Sequence, residues 1–146
     1  MNELTLPVEG TAERLKIEEA VLAYCEAWAT TDPEVRLALL GRCWGADGVY
    51  QDPQSRAEGR DGLAALIAGF HARTQGARIL LTSGIDGHHG AVRFRWVLLG
   101  PDGEVMLEGF DIGDLAEDGR LRRITGFFGP FPEAPAHWPE HIVQRG

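Results

Sequence analysis

Three side chains in this 146-residue sequence stand where an acid or a hydroxyl could do chemistry. Asp111 falls inside an otherwise apolar segment with strand alternation. An ionised carboxylate there costs several kcal/mol unless it is protonated, paired or wet, so it needs a reason. A place in a pocket wall would supply one, and so would a hydrogen bond to a helix end. Asp52 directly precedes Pro53 and is either a turn residue or an acid presented by its loop. Tyr24 lies on an apolar helical stripe, as a core tyrosine with its hydroxyl near a rim or as a donor facing a pocket.

The remaining candidates carry less. His88 and His89 occupy an expected hairpin turn, where exposed polar residues are common and a metal would need converging partners. His137 and His141 are four apart, but Pro139 between them argues against a helix that would align them. Cys25 and Cys43, each among apolar helical neighbours, read as reduced, buried thiols and not as a disulfide or metal pair. No glycine-rich phosphate loop, Ser-His-Asp set or Cys-His pair is visible. The expectation is a protein that uses no cofactor and no metal.

The elements that must position these residues come in two blocks. Thr11 can cap a helix carrying Ile17, Val21, Tyr24, Cys25 and Trp28 at 3.6-residue spacing, ending at Thr30-Thr31. Asp32-Pro33 reads as the cap and first residue of a second helix, with Val35, Leu37, Leu39, Leu40 and Cys43 inside, closing over Gly45–Gly48. Val49-Tyr50 makes a short extended piece, and a polar loop runs to Gly59. Asp61 starts a third helix with Leu63, Leu66, Ile67 and Phe70 on one side. The period then changes to two, and residues 78–85, 91–99, 104–115 and 120–128 read as strands. Asp86-Gly87, Pro101-Asp102-Gly103 and Glu117-Asp118-Gly119 are good turns, so consecutive strands should be antiparallel. Residues 1–10 read as a loose arm, and the proline-containing tail from Pro130 as irregular, a possible strap across the sheet. The fold class is α+β in one domain spanning residues 1–146, helices first and an antiparallel sheet after.

Bulk properties exclude some functions. The net charge of −8 argues against a nucleic-acid surface, which needs a basic stripe. The arginines are scattered, so no polybasic membrane patch appears, and no apolar run approaches the ~20 residues of a membrane span. With no signal-peptide core at its start, the chain has the cytoplasm as its expected address.

Alternation sorts the two sheet faces. Phe94, Trp96 and Leu98 share one face of their strand, and Leu107, Gly109, Asp111 and Gly113 one face of the next. Ile124, Gly126 and Phe128 share a face of the last. Glycines in strand interiors leave volume above the backbone or mark bulges that bend a sheet. Both suit a hollow with Asp111 in its wall, lined by Trp28, Phe94, Trp96, Gly109, Gly126 and Phe128. The opposite face mixes Val97, Leu99, Met106, Phe110 and Ile112 with Arg93, Arg95 and Glu108. That is too apolar for a bare surface and predicts a homodimer through the convex face.

The order helix, helix, Asp-Pro strand, helix, three hairpins resembles the nuclear transport factor 2-like superfamily, which includes SnoaL-like polyketide cyclases and ketosteroid isomerases. The likeness covers about Glu13 to Phe131 and implies a cone, with helices in the concave side of a curved sheet and a ligand inside. Tyr24-Cys25-Glu26-Ala27-Trp28 is similar to the isomerase helix bearing an oxyanion tyrosine. Val49-Tyr50-Gln51-Asp52-Pro53 is similar to the stretch bearing the general base, and Phe94 through Asp111 places Asp111 on the second oxyanion-hole acid. The resemblance therefore implies Asp52 as base and Tyr24 and Asp111 as donors to an enolate oxygen. The Asp32–Asp52 spacing is longer than in the isomerases, and the third helix offers no second pocket tyrosine. An Asp-Arg-Asp set would need an arginine on the pocket face, and parity puts Arg93 and Arg95 on the other.

Two functions follow as expectations. One is a cofactor-independent acid/base enzyme, an isomerase or cyclase acting on a small apolar carbonyl compound. The other is a non-catalytic ligand-binding or assembly module of the same fold.

Overall fold

The computed structural model describes residues 11–146; the arm expected over residues 1–10 lies outside them. Helix α1 runs Ala12–Ala29, its first turn capped by the Thr11 hydroxyl, which accepts from the Arg14 amide at 3.2 Å. Helix α2, Pro33–Cys43, starts as the sequence indicates, with Asp32 Oδ1 accepting from Glu34 N at 2.9 Å and Pro33 in the first turn. Its inner face differs from expectation. Val35 and Leu37 are both 46% exposed, while Arg36 between them is 3% exposed. The Arg36 guanidinium reaches back to the carbonyls of Ala27 and Thr30, satisfying the open C-terminal end of α1. That demand joins the burial of Leu40 and Cys43 on the same face in orienting α2.

Helix α2 stops earlier than the glycines suggest, and the short extended piece proves to be a nine-residue strand, β1 (Trp44–Asp52). The polar loop folds back as β2 (Ser55–Glu58), paired with β1 as a hairpin. Helix α3, Gly59–Arg73, buries Leu63 and Ile67. The segment expected as one strand over residues 78–85 splits into β3 (Arg78–Leu81) and β4 (Asp86–His88). The turn falls at His89-Gly90, both with positive φ, instead of Asp86-Gly87. Strands β5 (Ala91–Leu99), β6 (Val105–Leu115) and β7 (Leu121–Phe128) match their expected spans closely.

The seven strands form one sheet in the order β2-β1-β7-β6-β5-β3, with β4 also on β5. The expectation of a purely antiparallel sheet is corrected at one ladder: β1 runs parallel to β7, with Tyr50 opposite Ile124 and Gln51 opposite Thr125. A parallel pair needs a crossover, and here most of the chain serves as one. The sheet is mixed, curved and unclosed, an α+β architecture. Helices cover its concave face through a core that includes Val21, Leu40, Trp44, Leu63, Ile67, Leu121 and Ile124.

On the convex side Phe110 stacks on Phe127 with ring centroids 5.2 Å apart, and on Phe131 of the tail at 5.5 Å. The tail beyond is irregular apart from a 3-10 turn at Glu140–Ile142, and Arg145 ties it together through the carbonyls of Ala134 and Pro135.

Candidate functional site

A cavity of about 160 Å³ opens between the helices and the concave face of the sheet. Its inner end is polar. Tyr50 and Asp52 alternate onto the same face of β1, and Asp111 points from the same side of β6. Strand β7 runs between them, with Gly126 opposite Asp111. A methyl group at Gly126 would lie 2.9 Å from Asp111 Oδ1, 3.5 Å from Asp52 Cβ and 3.8 Å from the Tyr50 hydroxyl. The two acids and the tyrosine therefore converge over the one strand position that has no side chain.

Each acid has defined partners. Asp111 is buried and accepts a hydrogen bond from Trp96 Nε1 at 2.9 Å on Oδ1. Its Oδ2 has no partner among the described residues. Burial raises the Asp111 carboxyl to about 7, helped by the charge of Asp52 and opposed by the Trp96 hydrogen bond. Asp52 is half-buried, accepting from the Tyr50 hydroxyl at 2.5 Å on Oδ2 and from the Gln54 amide at 2.8 Å on Oδ1. The second of these is the Asx-type turn that an Asp before proline favours. The turn role and the pocket role are thus carried by different oxygens of one carboxylate.

Tyr24 also lines the cavity, its ring stacked on Trp44 at 5.8 Å. Burial, then the nearby Asp111, pushes its hydroxyl well above the ordinary tyrosine range, so it stays a donor. Trp28 packs on Tyr50 and Phe70, and its backbone carbonyl meets His71 Nε2 at 2.7 Å, which pins the end of α1 to α3. Among the described residues the buried Trp28 indole N–H makes no hydrogen bond.

Among the expected pocket residues, Trp28, Phe94, Trp96 and Phe128 line the cavity alongside Tyr24, Asp52 and Asp111. Gly109 and Gly126 do not. The room they leave is filled, by the Trp96 ring over Gly109 and by the Asp111 carboxyl over Gly126. They shape the site by letting its side chains lie flat on the sheet. A methyl group at Gly109 would overlap both the Trp96 ring and the carbonyl oxygen of Phe127. The carbonyl cannot swing aside, so Gly109→Ala should destabilise the fold by roughly 2–3 kcal/mol, read as a lowered Tm. An unchanged Tm would mean the strand is free to shift.

Three contributors were not singled out from the sequence. Tyr50 supplies the second pocket tyrosine that α3 lacks, and its i, i+2 relation to Asp52 was the available signal. Cys25, expected in the core, faces the cavity; burial raises its thiol to about 12, so it is an inert wall. Arg73 at the end of α3 also lines the cavity. Cys43 is buried as expected. His88 and His89 face each other at 3.2 Å between Nδ1 atoms on the exposed turn. Among the described residues no cluster of three or more His, Cys, Asp or Glu could hold a metal ion. No helix of the described chain is long and apolar enough to cross a membrane.

Helices packed into a curved mixed sheet, with two acids and two tyrosines at the inner end of the cavity, define a protein of the nuclear transport factor 2-like class. The family model of the SnoaL-like domain matches residues 21–124, and the chain belongs to that family. It is similar to a candidate isomerase of the SnoaL-like family from Agrobacterium tumefaciens str. C58, with 33% identity and a TM-score of 0.75 over 80% of this chain and 99% of that one. A candidate SnoaL-like polyketide cyclase from Jannaschia sp. CCS1 shares the fold at 12% identity, with a TM-score of 0.67 over 84% of this chain and 91% of that one. An NTF-2 like protein of unknown function from Burkholderia xenovorans LB400 does so at 23% identity, with a TM-score of 0.61 over 92% and 98%. No curated protein matches.

Proposed function

We propose that this protein is a cofactor-independent acid/base enzyme that moves a proton next to the carbonyl of a small, largely apolar compound, as an isomerase or cyclase does. The observation that carries this is the convergence of Asp52 and Asp111 over Gly126 in opposite roles. Asp52 accepts two hydrogen bonds, one on each oxygen, as an ionised base does. Asp111 lies buried at the cavity wall, its Oδ2 without a partner among the described residues and its carboxyl raised to about 7, as a donor acid does. A base for the carbon acid and donors for the developing enolate oxygen are the two requirements of this chemistry. Asp111 and Tyr24 would be those donors. The resemblance to isomerases and cyclases of the fold supports the reading by analogy.

The test is proton exchange. With an enolisable bicyclic ketone in D2O, the protein should speed deuterium uptake at the carbon next to the carbonyl, followed by NMR. The competing reading, a binding module, is favoured by the structural turn that Asp52 makes with Gln54. Ligand binding without any exchange would support it instead.

We also propose that the protein is a homodimer through the convex sheet face. Supporting it, Met106, Ile112 and Phe127 are 52%, 44% and 45% exposed on that side, an apolar area unusual for a free surface. Phe127→Glu should raise the dimer dissociation constant at least about 30-fold, measured by sedimentation. A wild-type protein that sediments as a monomer at micromolar concentration would refute the dimer.

A further inference from the structure

The cavity has a direction. At its inner end stand Asp52, Asp111, Tyr24 and Tyr50. Apart from Gln54 and Ser55 in the hairpin beside Asp52, the rest of its wall is largely apolar, with Leu66, Phe70, Ile79, Leu98, Leu107 and Phe128. The ladder places these along one axis. Asp111 is opposite Phe94, Leu107 is opposite Leu98, and Leu98 is opposite Ile79. From Asp111 to Leu107 is therefore about 13 Å at the rise of a strand.

Arg73 stands at that outer end. It closes α3 just before the Thr74–Ala77 turn that leads into β3 and Ile79. Leu66, Phe70 and Arg73 fall at i, i+4 and i+7, so one helical stripe presents two apolar side chains and then a guanidinium to the cavity. Among the described residues Arg73 is the one basic side chain lining the cavity, and it makes no ion pair and no side-chain hydrogen bond. Other arginines beside helices, such as Arg14, Arg36, Arg60 and Arg120, are each held by a backbone carbonyl. A methyl group at Gly69 would lie 3.1 Å from Arg73 Nη1. A helix-interior glycine weakens a helix relative to alanine; here it leaves the berth in which the guanidinium lies.

We propose that the ligand of this cavity is a carboxylate: an apolar carbonyl compound whose anionic group, at the end remote from the reacting carbonyl, is held by Arg73 at the mouth. This rests on the acid/base reading for the inner end and adds to it the class and orientation of the substrate. The protein is strongly acidic, and Asp52 lies at the inner end. An anion can enter only with its charge kept away from that end, about one ligand length off, where the guanidinium stands. A guanidinium matches a carboxylate in a planar, two-point geometry. The predicted substrate is thus an amphiphile roughly 10–13 Å long, the length of a fused two- or three-ring acid.

The experiment uses stable enol analogues, since a phenol presents an enol-like hydroxyl. Affinities of 2-naphthol and of 6-hydroxy-2-naphthoate are measured by tryptophan fluorescence at low salt, with wild-type protein, Arg73→Met and Arg73→Lys. In the wild type the acid should bind roughly three- to tenfold more tightly than 2-naphthol, as expected for an exposed charge-assisted pair. That ratio should fall to one or below in Arg73→Met and return in part in Arg73→Lys. It should also shrink as salt is raised, because the pair is exposed. Equal affinities in the wild type, or a ratio that Arg73→Met leaves unchanged, would overturn the assignment of Arg73. Binding of 2-naphthol that survives in this case, and is lost in Asp111→Ala, keeps the acid/base site standing alone. Binding of neither probe overturns both.

Discussion

Asp52→Asn is expected to lower the rate of proton exchange by roughly 10²–10⁴-fold, the usual contribution of a positioned general base. The fold should survive. The substituted amide keeps an oxygen to accept from the Gln54 amide at the start of the turn, and its nitrogen can hydrogen-bond the Tyr50 hydroxyl that now meets Oδ2 at 2.5 Å. Turnover and stability should therefore separate, with the thermal midpoint changing little while exchange collapses. Tyr50→Phe offers the complementary case. It removes the donor that holds the carboxylate in place without removing the carboxylate, so a smaller loss is expected. Exchange that continues at the wild-type rate in Asp52→Asn would remove Asp52 from the mechanism and leave its turn as its only role.

The second large effect is on stability against pH. Asp111 holds its proton in the folded protein to about 7, against 3.8 for the ordinary side chain, because it is buried and lies near the charge of Asp52. Between those values the folded chain binds more protons than the unfolded chain, so stability falls as pH rises through that window and levels off above it. The group's contribution amounts to about 4 kcal/mol across the window. Asp111→Asn cannot ionise and keeps an oxygen for Trp96 Nε1. Relative to the wild type, then, the variant should gain about that much between roughly pH 4 and pH 8, read from urea midpoints at the two ends. A difference between the two proteins that does not change with pH would show that Asp111 ionises freely and that the inner end of the cavity is wet. The same proton bears on activity. A donor to an enolate oxygen works only while protonated, so turnover should decline above about pH 7.

Much of this was legible along the chain. Period and punctuation are local properties, so the existence and order of the three helices, the caps at Thr11 and Asp32, and the spans of strands β5, β6 and β7 could be read, although α2 and α3 end earlier than their glycines suggest. Alternation in β6 singled out Asp111 because a carboxylate in an apolar strand is costly wherever it ends up. Alternation likewise assigned Phe94, Trp96 and Phe128 to the cavity side.

What the sequence left open was whatever depends on partners distant in the chain. The parallel pairing of β1 with β7 joins segments some seventy residues apart and has no local signature. That pairing alone sets Tyr50 and Asp52 beside Gly126, and so beside Asp111. The meaning of the glycines was likewise decided in three dimensions. A glycine in a strand says that space exists, but not whether a ligand, an indole ring or a carboxyl group fills it. Arg36 and Arg73 make the same contrast from their helices. Both are arginines on amphipathic helices; one is held by the open carbonyls of α1, and the other lines the cavity with no ion pair among the described residues. Residue type and spacing determined which side chains could do chemistry here. Only the tertiary structure, by bringing remote backbone and charge within a few ångströms, decided which of them face one another.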